Sequence, residues 1–285
     1  MQPTAGISAE LRRTTIGIIG AGNMGQALIK GLRGAGQPAE KIRVVEPNPN
    51  AARLVRMRYG VRAAQLAELV AWADILVLAV KPQDLRAVVT ELSGLLRQRR
   101  RRSVVVSIAA GIRISAIERL LPGSPVVRVM PNLGAKVGQA VSALAYGRAT
   151  RPADQAIANA IFGCVGETMK LPERLFDVVT AVSGSGPAYF FLIFQALRDA
   201  GMRGGLPRAA ATRLAVLTAL GSAELARQAQ EDLDALVAQV ASKRGTTQAA
   251  LEVFRARGLA EILQAGVAAA AARSAELSAS MGSRV

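Results

Sequence analysis

Short apolar runs alternate with longer segments of helical period from residue 15 to about residue 172. The runs are 15–20 (TIGIIG), 42–46 (IRVVE), 61–64 (VRAA), 73–80 (ADILVLAV), 103–109 (SVVVSIA) and 125–130 (PVVRVM), and 140–147 (AVSALAYG) and 167–171 (ETMKL) could extend the series. Because they are apolar throughout instead of at every second position, they suit strands covered on both faces. Strands of that kind joined by helices predict an α/β domain with a mostly parallel sheet over 15–172. From about Glu173 the strand pattern stops and Ala, Leu, Gln, Glu and Arg predominate. Five or six helices are expected there, so 173–285 reads as an all-α domain.

Three stretches stand apart. Residues 1–14 (MQPTAGISAELRRT) hold no apolar run that could act as a signal peptide, and a flexible extension is expected. Residues 178–197 carry no charge and are long enough to span a bilayer by count, but SGSGP interrupts them. They are read as a turn feeding a buried helix, with no membrane partner. Residues 265–277 (AGVAAAAARSAEL) are Ala-rich, which lets a neighbouring helix come close and hints at helix contacts between copies of the chain.

Composition then narrows the chemistry. In 285 residues Lys and Arg number 36 against 20 Asp and Glu, an excess that attracts anions in general. Aromatic residues make up only 4%, too few for the stacking platforms that single-stranded nucleic acid uses, so no nucleic-acid partner is expected. The most basic run, RQRRRR at 97–102, reads as a solvated helix end and loop, with a polyanion contact as the alternative. The chain has no histidine, which excludes Ser-His triads, imidazole acid–base catalysis and His-bound zinc. Cys164 is the single cysteine, as suits a reducing, cytoplasmic setting. No carboxylate cluster has metal-ligand spacing, so no metal site is expected.

The strongest local pattern is GIIGAGNMGQALIKGL at 17–32. Gly20, Gly22 and Gly25 follow a strand-like run and open a helix-like one, the context that a dinucleotide fingerprint requires. Gly20 permits the tight turn, Gly22 leaves room for a pyrophosphate against the backbone, and Gly25 lets helix and strand pack closely. The phosphates would sit on free N–H groups at the helix start. Glu46 ends the next strand-like run, where a carboxylate can accept from the adenosine ribose hydroxyls and disfavour a 2′-phosphate; a solvated strand end is the plainer reading. Arg53 and Arg56 lie just downstream and could reach a phosphate, so NADH and NADPH both stay open.

Further along come AVKPQ (79–83), SIAAGI (107–112), RVMPN (128–132), TAVSGSGPAYFF (180–191), GLPR (205–208) and GTTQAAL (245–251). In that order and spacing, from about residue 15 to 277, the chain resembles the pyrroline-5-carboxylate reductase family. The resemblance implies a Rossmann-type N-terminal domain and an all-α C-terminal dimerisation domain that intertwines with a second subunit, with the active site between the domains. It implies hydride transfer from NADPH or NADH to the C=N carbon of 1-pyrroline-5-carboxylate, a small anionic cyclic imine, giving L-proline. The assembly implied is a homodimer or a higher homo-oligomer built from dimers. Alternatives are a reductase of another small cyclic imine and an inactive dinucleotide-binding regulatory protein.

By the same resemblance, Ile19, Gly20, Ala21, Gly22, Asn23, Met24 and Gly25, then Ala79, Val80, Lys81 and Pro82, then Ala109, Ala110 and Asn132, fall on the cofactor side. Gly245, Thr246 and Thr247 match the substrate-carboxylate loop, with Ser242 just before it, and Thr247 is the candidate for positioning or relaying the proton to the imine nitrogen. Read as residues alone, a Ser, a Gly and two Thr before a helical run could grip a carboxylate with backbone N–H groups or simply cap a helix. Thr180 and Ser185 offer hydroxyls beside the SGSGP turn, which could also be an ordinary helix start with proline in its first turn. Lys81 could meet the cofactor or be a solvated strand-end lysine.

Three segments depart from the family pattern. MPNTP reads MPNLG here, with Leu133 and Gly134; the loop SPGGTT or SKGGTT reads SKRGTT, with Arg244; and Leu66 stands where an asparagine is frequent. Arg244 could reinforce anion binding or, where glycine's backbone freedom is needed, distort the loop.

Overall fold

The computed structural model describes residues 7–282. Among them one eight-stranded sheet forms from β1 (Ile16–Ile19), β2 (Ile42–Val45), β3 (Arg62–Ala63), β4 (Ile75–Leu78), β5 (Val104–Ser107), β6 (Val126–Met130), β7 (Ala140–Tyr146) and β8 (Gly166–Lys170). Their order is β3-β2-β1-β4-β5-β6-β7-β8. Every neighbouring pair is parallel except β6 and β7, which are antiparallel. Only a short 3₁₀ turn, Leu133–Val137, joins those two, and an antiparallel return needs no helical crossover.

The helices are α1 (Ala9–Arg13), α2 (Asn23–Gly34), α3 (Pro49–Tyr59), α4 (Leu66–Trp72), α5 (Pro82–Arg97), α6 (Ile114–Leu120) and α7 (Pro152–Gly163), followed by α8 (Phe176–Val179), α9 (Gly186–Arg203), α10 (Arg208–Gln228), α11 (Leu233–Val240), α12 (Thr246–Ala256) and α13 (Leu259–Gly282). The strand period of two sends Ile16, Ile18, Ile75 and Val77 into one core with Leu28, Leu32 and Phe162, and sends Ile19, Leu76 and Leu78 into a second with Leu85, Val89 and Phe176. Helices on both faces are why β1, β4 and β5 are buried at every position.

The chain divides into two compact units. Residues up to Ser185, together with those from Ala270 onward, form one, and Gly186–Ala269 forms the other. The end of α13 is held in the first unit by Ser274 and Ser278, whose hydroxyls both donate to Asp177 Oδ1, at 2.7 and 3.2 Å.

Three expectations are corrected. Residues 8–14 are not a loose extension: Ser8 caps α1 by accepting from Leu11 N–H, and Leu11 is buried in the core, while residues 1–6 lie outside the described residues. The helix after SGSGP is not buried within the chain, since Phe190, Phe191, Leu192 and Leu197 on α9 are all exposed. The basic run is not simply solvated. Arg99 donates to Ala73 O at 2.7 Å and to Ser103 Oγ, Arg101 pairs with Asp74, and one Arg102 nitrogen donates to both oxygens of Asp154 at 2.8 Å. These arginines tie the entrances of β4 and β5 to the start of α7, adding to the donors that Thr15, Ser103 and the Arg151 N–H already give Asp74, Ala73 O and Asp154.

A second arginine sits deeper. Arg128 on β6 is 4% exposed, donates to Glu173 Oε1 at 3.0 Å and stacks its guanidinium over Phe176. The same Glu173 oxygen accepts from the N–H of Ile114 at 2.7 Å, so one carboxylate joins β6, α6 and the segment leading to α8. Removing it strands a buried cation, and Glu173→Ala is expected to cost about 3 kcal/mol in urea unfolding. Burial pushes the pKa of the Cys164 thiol up to about 11. The folded thiol therefore stays protonated at pH 8, and a disulfide-exchange reagent is expected to react with it only after denaturant is added.

Candidate active site

β1 pairs with β2 on one side and β4 on the other, so the chain reverses its winding direction there and leaves a crevice at the strands' carboxyl ends. The glycine turn fills that position. Gly20 has φ +101°, and a Cβ on it would meet Ala79 O at 2.7 Å, so only glycine passes between β1 and the end of β4. A Cβ on Gly25 would collide with the carbonyl of Gly20. At Gly22 the reverse holds: nothing lies within 4 Å of where its Cβ would be. Gly22 is also the N-cap of α2 and supplies no side chain to the first N–H groups, which are left for an outside acceptor.

Glu46, just beyond β2, is held by backbone donors. Its Oε2 accepts from Ala21 N–H at 2.7 Å and its Oε1 from Asn48 N–H at 2.9 Å. A carboxylate has about four acceptor sites, so two remain open to donors from outside the chain. Ala21 O in turn accepts from Gln26 Nε2 at 2.7 Å, and Asn48 caps α3 by accepting from Asn50 and Ala51 N–H. Ile19, Asn23 and Met24 complete this turn and the start of α2. Ala79, Val80, exposed Lys81 and Pro82, the first residue of α5, follow β4. Ala109 and Ala110 follow β5, with Ala109 N–H donating to Ser107 Oγ at 3.3 Å.

Asn132 follows β6 and reaches across to the SGSG segment. Its Nδ2 donates to Ser183 O at 3.3 Å and Ser183 Oγ at 3.4 Å, and its Oδ1 accepts from Gly134 N–H at 3.1 Å and Val141 N–H at 3.3 Å. The departure at Gly134 has a reason here: a proline could not donate to Asn132, and any Cβ at 134 would collide with Gln139 O. Residues Thr180–Gly184 form a turn of π-helix, a form frequent at functional sites. Thr180 Oγ1 donates to Phe176 O at 2.7 Å, leaving its hydroxyl only an acceptor role outward. Ser185 N–H bonds back to Thr180 O at 2.8 Å and ends that turn.

The remaining candidates, Ser242, Gly245, Thr246 and Thr247, lie in the second unit at the start of α12. The N-cap is Gly245, not a threonine, and no side chain caps the helix. A Cβ on Gly245 would strike Ser242 Oγ, so the turn depends on glycine. Arg244 takes the left-handed conformation, φ 61°, with its N–H donating to Gln248 Oε1 at 3.0 Å. The loop thus keeps the backbone state that glycine adopts freely, now carrying a guanidinium.

Gln26, Asn48 and Ser183 are supporting residues that sequence reading did not single out. Asn48 before Pro49 is a readable cap signal, and Ser183 lies inside a motif already noted; the Gln26 contact has no local signature.

A twisted parallel sheet with a glycine turn at its switch point and uncapped helix N–H groups above it is a dinucleotide-binding α/β unit. A family profile described as pyrroline-5-carboxylate reductase dimerisation matches residues 173–277, and one described as NADP oxidoreductase coenzyme F420-dependent matches 15–111. A pyrroline-5-carboxylate reductase of Pseudomonas aeruginosa is 41% identical over 270 residues, covering 94% of this chain and 98% of that protein. The solved pyrroline-5-carboxylate reductase of Coxiella burnetii superposes with TM-score 0.87 at 31% identity, covering 93% of this chain and 98% of its own. That of Plasmodium falciparum, solved with NADP bound, gives TM-score 0.83 at 26% identity, covering 94% and 99%. The chain belongs to the pyrroline-5-carboxylate reductase family, and it is an NAD(P)H-dependent oxidoreductase.

The space over Gly22 yields a direct check. Gly22→Ala is expected to leave the melting temperature unchanged while weakening NADPH and NADH binding at least tenfold in a fluorescence titration, because its methyl group enters volume empty of protein atoms.

Proposed function

We propose that the chain reduces the C=N bond of 1-pyrroline-5-carboxylate to L-proline, and that Glu46 makes NADH the better reductant. The observation that carries the cofactor reading is the open space over Gly22 beside a carboxylate fixed by Ala21 and Asn48. The N–H groups of α2 from Asn23 onward hold the pyrophosphate, and Glu46 accepts from the adenosine ribose, where its charge opposes a 2′-phosphate. Ala79–Pro82, Ala109, Ala110 and Asn132 border the rest of the dinucleotide. When bound, the reduced nicotinamide supplies the hydride.

On the substrate side, the uncapped first turn of α12 offers N–H groups to the ring carboxylate, with Gly245 keeping the approach open and Ser242 shaping the turn. Among the described residues Thr246 and Thr247 have no side-chain hydrogen-bond partner, and no side chain caps α12, which favours binding over capping. Thr247 positions the proton at the imine nitrogen, since a protonated C=N accepts hydride at carbon more readily and the chain has no imidazole to serve. Thr180, whose hydroxyl has only an acceptor role left, and Ser185 are the further substrate-side candidates.

The match of 173–277 to a dimerisation profile supports cover of the exposed α9 face by a second copy, giving a homodimer, with contacts along Ala-rich α13. A cytoplasmic location fits the single buried thiol.

Oxidation of NADH and NADPH with racemic pyrroline-5-carboxylate tests the reading, and absence of turnover with both rejects it. Thr247→Ala is expected to lower kcat at least tenfold with little change in dinucleotide affinity. Glu46→Ala is expected to shift the ratio of kcat/KM for NADPH over NADH upward by at least tenfold, and an unchanged ratio would remove Glu46 from cofactor choice.

A further inference from the structure

At the other end of the sheet from the glycine turn lies a second cleft. β7 runs antiparallel to β6 with Tyr146 opposite Val127, which puts the end of β7 beside the start of β6, at the amino-terminal edge of the parallel strands. There α6, the turn after β7, the start of α7 and the end of β8 enclose a volume of about 1010 Å³. Among its lining residues are the cations Arg119, Arg148 and Lys170, the carboxylates Glu118 and Glu173, and Tyr146.

Both carboxylates of the cleft are engaged by groups of its wall. Glu118 Oε1 accepts from the backbone N–H of Arg148 at 3.0 Å, and a Cβ on Gly147 would collide with that same oxygen, so glycine is what lets the carboxylate in. Glu173 Oε1 is taken by Ile114 N–H and by buried Arg128. Both carboxylates therefore answer to donors of the cleft wall. Arg148 and Lys170 are exposed, and among the described residues neither forms an ion pair with a carboxylate. The Lys170 ammonium lies 5.5 Å from the centre of the Tyr146 ring, and that ring is fixed by Asn159 Nδ2 donating to its hydroxyl at 2.7 Å. A tyrosine ring fixed by Asn159 holds the Lys170 ammonium over its face, and with Arg148 on the same lining the cleft offers two positive charges to an anion.

We propose that this cleft binds a small organic anion carrying at least two negative charges, as carboxylates or phosphates, with Arg148 and Lys170 as its charged contacts and Tyr146 as its wall. The volume is at the upper end of the roughly 300–1,000 Å³ usual for small-ligand sites, so a nucleotide-sized anion fits. The cleft shares no lining residue with the glycine turn, and its occupant does not displace the dinucleotide.

The test uses the full chain saturated with NAD⁺, so that the adenosine pocket is filled, and titrates citrate and ATP separately by calorimetry. Saturable binding of either probe, weakened at least tenfold in Arg148→Ala/Lys170→Ala while kcat and KM for imine and NADH stay unchanged, is the expected result; which probe binds separates carboxylate from phosphate recognition. On the parent protein alone, acylation of Lys170 followed by mass spectrometry is expected to slow at least threefold in the presence of the binding probe. Absence of saturable binding by both probes, equal affinity in the double variant, or unprotected Lys170 overturns the proposal.

Discussion

The amino-terminal unit is organised by how closely α2 lies on the sheet. No side chain separates Gly25 from the carbonyl of Gly20, and a few turns on, a Cβ at Gly31 would collide with Val165 and meet Cys164 O at 2.7 Å. Helix α2 is therefore wedged at two levels, against the end of β1 and against the turn that leads into β8. This fixes where its first N–H groups point, and it brings Ala21 within reach of Glu46. Dinucleotide recognition thus follows from packing: once the helix is seated, the anion site exists without any charged side chain of its own.

Much of this architecture is legible in the sequence because the signals are local and redundant. Strands such as ILVL and VVVS are buried at every position because helices cover both faces, and each run in the series became a strand. The glycine turn is legible because backbone geometry permits only glycine at φ +101°. Pro49, Pro82 and Pro152 mark helix starts because their missing N–H costs nothing in the first turn.

What the sequence does not reveal depends on partners distant along the chain. The arginines at 99, 101 and 102 look like a solvated cluster until the fold places Ala73 O, Asp74 and Asp154 around them. Leu11 reads as part of a polar tail, and only the assembled sheet supplies the core that buries it. Asn132 and Ser183 are 51 positions apart, and nothing local says that they meet. The departure at 134 gains its meaning only in the fold, where the Gly134 N–H donates to Asn132 Oδ1. For the arginines, and for Asn132 with Ser183, a polar group's partner is set by topology, which periodicity does not encode.

The unpartnered surface of α9 has a consequence for how the molecule comes into being. A chain that leaves Phe190, Phe191 and Leu192 more than half exposed keeps part of its hydrophobic driving force in reserve for a second chain. Its resistance to heat then depends on how much protein is in the tube, rising with concentration as mass action fills the paired state. Newly made copies are at their most vulnerable to clumping in the interval before they meet.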